Sequence, residues 1–500
     1  MTANIVTAAV VTVVAPLAGA AVTALGLAPA SPRRFACAVV GASLAASLAV
    51  TFIWAGTTGE PLSLGERLGG GSLVHVDGIT AVLLPYVAVV ELAILLVAPR
   101  RTLDAAAVTW LLLGAAATFA LFLTAHPLAL VALWILTVLP TWRSTRSTPG
   151  GAPAARIFAL AMGVATVCMA VGTVLLLVDS PWAAKHGWVG GVGGWLVAVA
   201  VMIRKGIFPF HSWYPALFAG APMSTALAST MPQVASYTAV RLLIGHADHP
   251  EGVAAELVVL SQMALVTAAY GAALALVQRD LRGLIGTLAM SQSAMVLAGL
   301  AGTLPMELNG AFCVWISSGL ALTGIGLVTW ALESRAGPIR LDTVQGRFWD
   351  APALAAFFLL FGLAGIGLPG TLSFVADDLI VSGSLDEQLH AGLLVILATV
   401  LSGIAMLRGW FNVFGGPVSA DGPRHAILPR ERVALTVLLA TLFLLGLWPA
   451  PLVRVLDRAT GQLLGVAADP PAAAAHAPGP HAPETEAAAT VDLQVLPDGR

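Results

Sequence analysis

Apolar residues run in blocks of about 20 or more, the length needed to cross roughly 30 Å of hydrocarbon as a helix. About fourteen such blocks follow one another, centred near residues 16, 45, 89, 115, 134, 168, 200, 232, 265, 293, 320, 366, 399 and 441. The pattern predicts an all-α polytopic membrane protein. Two regions break it. Pro209, Pro215 and Pro222 interrupt the blocks near 200 and 232, and Gly367, Pro369 and Gly370 interrupt the block near 366. The first block, roughly 4–29, lacks a basic leader and is too long for a signal segment, so it reads as a retained first helix. From about 467 the sequence AADPPAAAAHAPGPHAPETEAAAT cannot bury a core, and it reads as a disordered tail.

Composition agrees with the pattern. Of 500 residues, 58% are hydrophobic and 10% are charged, against about 25% charged in an ordinary soluble protein. The formal net charge of −2 gives a nucleic-acid partner no electrostatic support. Cys37, Cys168 and Cys313 are far apart in apolar runs and have no metal or disulfide spacing. GVGG at 191–194 has no strand before it, so no dinucleotide fingerprint is present, and the reading includes neither cofactor nor metal. Loops after odd-numbered blocks carry Arg33, Arg34, Arg100, Arg101, Arg143, Arg146, Arg156, Arg279, Arg335, Arg340, Arg347, Arg424, Arg430 and Arg432. Loops after even-numbered blocks hold little beyond Arg67 and Lys185. Positive charge marks the cytoplasmic side, which predicts a plasma-membrane protein with both termini outside.

Charges inside the blocks need an explanation, because burying one costs several kcal/mol. They are Glu91, Arg204, Lys205, Arg241, Arg282, Asp377 and Asp378. Arg204 and Arg241 fit snorkelling to the headgroups, and Arg282 fits either a surface or an interior role. Lys205 lies one turn before Pro209, and non-helical backbone at membrane depth is tolerated only inside protein or beside water. There a lysine can gain and lose a proton. Asp377 and Asp378 sit beside the second break. Adjacent carboxylates face different sides of a helix, so at most one lines an interior path; the alternative is that both cap a short helix near the surface. Two broken helices with ionisable residues, roughly five spans apart, are the sequence pointer to inverted repeats. His211 in the first break is a relay candidate or a loop histidine. Glu91 is a lone carboxylate on an apolar span, either protonated and structural or functional.

The run RKGIFPFHSWYPALFAGAPMSTALAST at 204–230 resembles the signature of the antiporter-like proton-channel subunits. These occur in respiratory complex I, multisubunit sodium/proton antiporters, membrane-bound hydrogenases and an inorganic-carbon-accumulating complex. VDGIT at 76–80, RDLRGLIGTLAMSQSAMVLAGL at 279–300 and GLPGTLSFVADDLI at 367–380 fit in order. The resemblance implies fourteen helices with two inverted five-helix repeats containing broken helices. It divides the chain into N-terminal helices (1–104), a first repeat (105–250), a second repeat (251–415), a C-terminal helix region (416–466) and the tail (467–500). It implies a proton path through Lys205, His211, Arg282 and Asp377; Glu91, which matches no family position, joins that path as a candidate replacement for the counter-charge the family usually carries. The partners implied are protons, the lipid bilayer, and other membrane and soluble subunits that would carry any redox chemistry.

The expected function is a proton-translocating membrane subunit resembling those of NADH-quinone oxidoreductase. The alternatives are a bicarbonate or CO2 uptake subunit, a stand-alone cation/proton antiporter, or a non-conducting structural subunit. The sequence departs from the family at several positions. Ile135, not glutamate, follows Trp134; Ala228 stands at a histidine position; Cys313, Ser317 and Ala321 stand where histidines and a lysine are usual.

Overall fold

A computed structural model describes residues 2–27, 31–57, 61–65, 71–99, 102–177, 188–244, 255–302, 304–417 and 426–464. The tail, and Arg67, Arg100, Arg101, Lys185 and Arg424 among the loop charges, lie outside the described residues. Helices α1 (Thr2–Ala24) and α2 (Pro32–Ala55) lead to a hairpin, β1 (Leu62–Leu64) with β2 (Val74–Val76). Then come α3 (Gly78–Val97), α4 (Ala105–Phe122), α5 (Pro127–Ser147), α6 (Ala152–Leu177) and α7 (Trp188–Lys205). Short pieces follow: α8 (Trp213–Gly220), α9 (Met223–Thr230) and α10 (Val234–Ala239), the last continuing as a π-helical turn, Val240–Ile244. The remainder is α11 (Ala255–Leu276), α12 (Leu281–Leu300), α13 (Pro305–Ala336), α14 (Pro352–Ala364), α15 (Leu372–Glu387), α16 (Leu389–Phe414), α17 (Pro429–Leu447) and α18 (Ala450–Leu464).

Ten of these helices are long and apolar enough to cross a membrane, or eleven if the pair α17–α18, bent by 75°, makes one span. The chain is a multi-pass membrane protein. Helices start where the sequence offers caps: Asp77, Asp104 and Asp280 each accept from a backbone N–H three residues on, at 2.7–2.8 Å. Both sequence breaks are real. At the first, α7 stops at Gly206 (φ +70), and at the second, α14 and α15 are separated by Gly367 (φ +85) and Gly370 (φ +91). These conformations suit glycine.

Helices α12 and α13 form the centre, with 94% and 100% of their apolar windows buried, whereas α6 buries only 28%. Lipid-facing helices have no reason to hide their apolar side chains. Close crossings use small residues. The GVGG run lies within α7, where Gly193 meets Gly172 of α6. A Cβ on Gly319 of α13 would sit 1.7 Å from the Tyr86 hydroxyl of α3, which itself donates to the Met231 carbonyl at 2.7 Å.

The connecting loops sort onto two faces. On one, Leu281 N–H donates to Ile339, Leu341 N–H to Arg279 and Gln345 N–H to Asn412. There too Arg430 reaches the Ala98 carbonyl at 3.2 Å, and Arg335 pairs with Glu431 at 2.7 Å. These loops carry arginines, so this is the basic face. On the other face the hairpin binds the α4–α5 loop, with His75 N–H donating to Leu123 and Ala125 N–H to Ser72. Helix α18 packs there against the start of α3, the Val455 carbonyl lying beside Gly78.

Because the α3–α13 crossing has no room for a side chain at 319, Gly319→Ala is expected to destabilise the chain by about 1–3 kcal/mol. A lower apparent melting temperature of the detergent-solubilised protein is the check.

Candidate functional site

Lys205 is the last residue of α7 and is 2% exposed. Its ammonium donates to Gln233 Oε1 and to Ser236 Oγ, the latter at 2.8 Å. Its carbonyl accepts from Ser293 Oγ at 3.3 Å. Gln233 occupies the joint between α9 and α10 in the left-handed conformation (φ 52), uncommon outside glycine. Pro232 precedes it, so the helix cannot run straight through. Both side-chain partners of the amine are neutral, and no carboxylate lies within ion-pair distance among the described residues. A cavity of about 30 Å³ borders Lys205, Gln233, Tyr214, Thr230 and Ser293. At roughly 10–15 Å³ per water, it has room for about two.

A second cavity of about 30 Å³ adjoins it and shares Thr137, Thr141, Arg204, Ser229 and Val234 with the first. Glu91, 3% exposed, lines this one. Between the two cavities stands Arg204. Its guanidinium lies 4.1 Å over the Trp134 ring and donates to Thr137 Oγ1 at 2.6 Å and the Trp134 carbonyl at 3.3 Å. The snorkelling expected for Arg204 is therefore wrong, because ring stacking and hydroxyl bonds satisfy the guanidinium inside the bundle. Ile135 points outward and is 40% exposed.

The other predicted residues lie apart from this pair of cavities. Arg282, in the first turn of α12, pairs with Glu333 at 2.7 Å and donates to the Ala221 carbonyl at 2.9 Å. His211 is half-buried and meets the Tyr270 hydroxyl at 3.4 Å and the Phe208 ring. Asp377 is half-buried beside Gly367, and Asp378 is exposed. Toward the second break a cavity of about 20 Å³ is lined by Gln292, Ser318, Ala321, Gly365 and Ser402. The Ser318 and Ser402 hydroxyls are buried there without a protein partner.

Arg241 does not snorkel either. It pairs with Asp77 at 2.8 Å, donates to Thr80 at 3.3 Å and lies over the Tyr237 ring. Burial works to raise the Asp77 carboxyl, but Arg241 and His75 outweigh it and hold the group well below the carboxylate range. The ion pair is therefore held at neutral pH and weakens as the pH falls. Sequence reasoning missed it, since residues 77 and 241 are remote in the chain. It also missed Gln233 and Ser236. Their only signal is MPQVAS, a polar residue just after a proline in an apolar block.

Fold and site together define a class: a many-helix membrane protein whose broken helices surround a buried lysine and water-sized cavities. Residues 148–404, more than half of the chain, match the family described as NADH:quinone oxidoreductase/Mrp antiporter, TM, and the chain belongs to that family. NADH-quinone oxidoreductase subunit M of Mycobacterium tuberculosis is 26% identical over 263 residues, 52% of this chain and 47% of that protein. Subunit M of Pseudomonas aeruginosa is 28% identical over 274 residues, 54% of this chain and 52% of that protein. The chain thus spans about half the length of the curated relatives it matches. A chain in the structure of respiratory complex I from Thermus thermophilus with bound NADH superposes with a TM-score of 0.81 at 22% identity, covering 91% of this chain and 99% of that one. A chain of the Mrp complex from Dietzia sp. DQ12-45-1b gives 0.81 at 19% identity, covering 93% and 98%. These likenesses show the fold, and both structures are of multisubunit complexes.

Two outcomes follow from the geometry. Asp77→Asn leaves Arg241 buried without its counter-ion and is expected to cost about 3–5 kcal/mol, read as a lower melting temperature in detergent. An experimental map that resolves solvent is expected to show a water bridging Ser318 and Ser402.

Proposed function

We propose that this chain is a proton-translocating membrane subunit of a larger complex in the plasma membrane, its basic face cytoplasmic and its amino terminus outside. One observation carries the reading. A lysine buried to 2% exposure has only neutral side-chain partners and borders a water-sized cavity. An ion pair would lock the ammonium in its charged form. Gln233 and Ser236 do not. The ammonium donates to both; the neutral amine still donates to Gln233 and can accept from the Ser236 hydroxyl, which rotates. Both charge states are therefore hydrogen-bonded in one place, and water beside the amine can bring or take the proton.

The names of the relatives, subunits of NADH-quinone oxidoreductases, support the same assignment, with redox chemistry left to other subunits. Fourteen crossings fit the helices: the ten long ones, the bent pair α17–α18, the broken spans α7–α8 and α14–α15, and the run from α9 through the π-helical turn. Residues 105–250 and 251–415 then form two repeats of five spans, each broken in its fourth span. Five is odd, so the second repeat starts from the opposite face and is inverted. Asp377, at the second break, is the proposed far end of the path. Arg282, tied to Glu333 and backbone carbonyls, supplies a fixed positive charge at the basic face, and His211 borders the first break.

Lys205→Ala is expected to cut proton flux about tenfold or more in membrane vesicles that carry the intact complex, followed with a pH-sensitive dye. Unchanged flux with normal assembly would instead make the chain a non-conducting scaffold.

A further inference from the structure

A larger cavity opens on the basic face. It holds about 760 Å³ and lies between the start of α4, the end of α5, the turn at 147–150 and the α8–α9 junction at 219–223. Asp104, Arg143, Ser147 and Arg282 give it a polar wall. This vestibule shares Trp110 and Ser144 with the Glu91 cavity. The Glu91 cavity shares Arg204 and the hydroxyls of Thr137, Thr141 and Ser229 with the Lys205 cavity. The three spaces therefore neighbour one another in series, from the basic face to the buried amine, each pair separated by side chains common to both linings.

Glu91 is the sole carboxylate lining either inner cavity. It is 3% exposed, and no described residue offers it a hydrogen bond. A carboxyl so placed must be solvated by water in its cavity or carry a proton. Arg204 faces the same cavity. A guanidinium stays charged in proteins, so it cannot pass the proton on. The helix that carries Glu91, α3, lies outside both five-span repeats.

We infer that Glu91 is the proton-loading group of this chain: it takes protons from the vestibule and delivers them through cavity water to Lys205. In the step, the O–H of the Glu91 carboxylic acid breaks, a water chain carries the proton, and a new N–H forms on the neutral Lys205 amine. Water from the vestibule then reprotonates the carboxylate. The inference rests on the proton-conducting reading of Lys205, and it fixes the side and the residue from which that lysine is loaded.

The test uses vesicles that carry the intact complex, in both orientations. Glu91→Gln is expected to lower proton flux about tenfold or more, and Glu91→Asp to restore most of it. Ser144→Cys, placed in a chain whose Cys37, Cys168 and Cys313 are replaced, is treated with a membrane-impermeant methanethiosulfonate cation. Reaction from the basic face alone, with flux falling on labelling, supports the inference. Reaction only from the opposite face, or labelling that leaves flux unchanged, overturns it, and so does normal flux in Glu91→Gln. If Lys205→Ala fails while Glu91→Gln conducts normally, the lysine is loaded by another route and the proposed function stands. If both conduct normally, both readings fall. Should Glu91→Gln not assemble, the Ser144→Cys labelling still decides.

Discussion

The interior of this protein is organised around one expensive group, the ammonium of Lys205. On insertion scales a lysine at the middle of a membrane helix costs roughly 2.5–3.5 kcal/mol. Much of the surrounding architecture answers that cost. The helix α7 ends at the lysine, Gly206 turns the chain away, and the joint at Gln233 interrupts the next span so that Gln233 and Ser236 can reach the amine. A continuous helix through 223–244 would present its backbone groups to one another and none of these side chains in this arrangement. The break is thus the means by which a charge is solvated without a counter-ion in contact.

Neutral solvation has a functional corollary. A carboxylate beside Lys205 would stabilise it more, and would also hold its proton. The observed separation keeps Glu91 in the adjacent cavity, with Arg204 fixed between them on Trp134. The other buried cation, Arg241, shows the contrast. It is paired directly with Asp77 at 2.8 Å, at the face opposite the arginine-bearing loops, and that arrangement suits a structural clamp.

The positions where the family usually carries ionisable side chains are instructive. Ala228 lines the Glu91 cavity, and Ala321 lines the cavity near the second break together with Ser318 and Ser402. Small residues leave water-sized space where longer side chains would fill it. At both positions the space is bordered by serine hydroxyls, joined at the first by those of threonines.

Sequence alone determined the medium, the helical class and the two broken regions, because apolar block length and Gly/Pro placement are local properties of the chain. It also singled out Lys205, since a charge one turn from a proline in an apolar block stands out without knowledge of its neighbours. Tertiary structure decided the rest. Whether Arg204 and Arg241 reach headgroups or find partners inside depends on Trp134, Thr137 and Asp77, which come from other helices. The choice of Gln233 and Ser236 as partners, the face on which the vestibule opens, and the cavity joining Glu91 to Arg204 all arise from side chains brought together over long sequence separations. No local pattern encodes such distances, because they are set by how helices cross rather than by how each one forms.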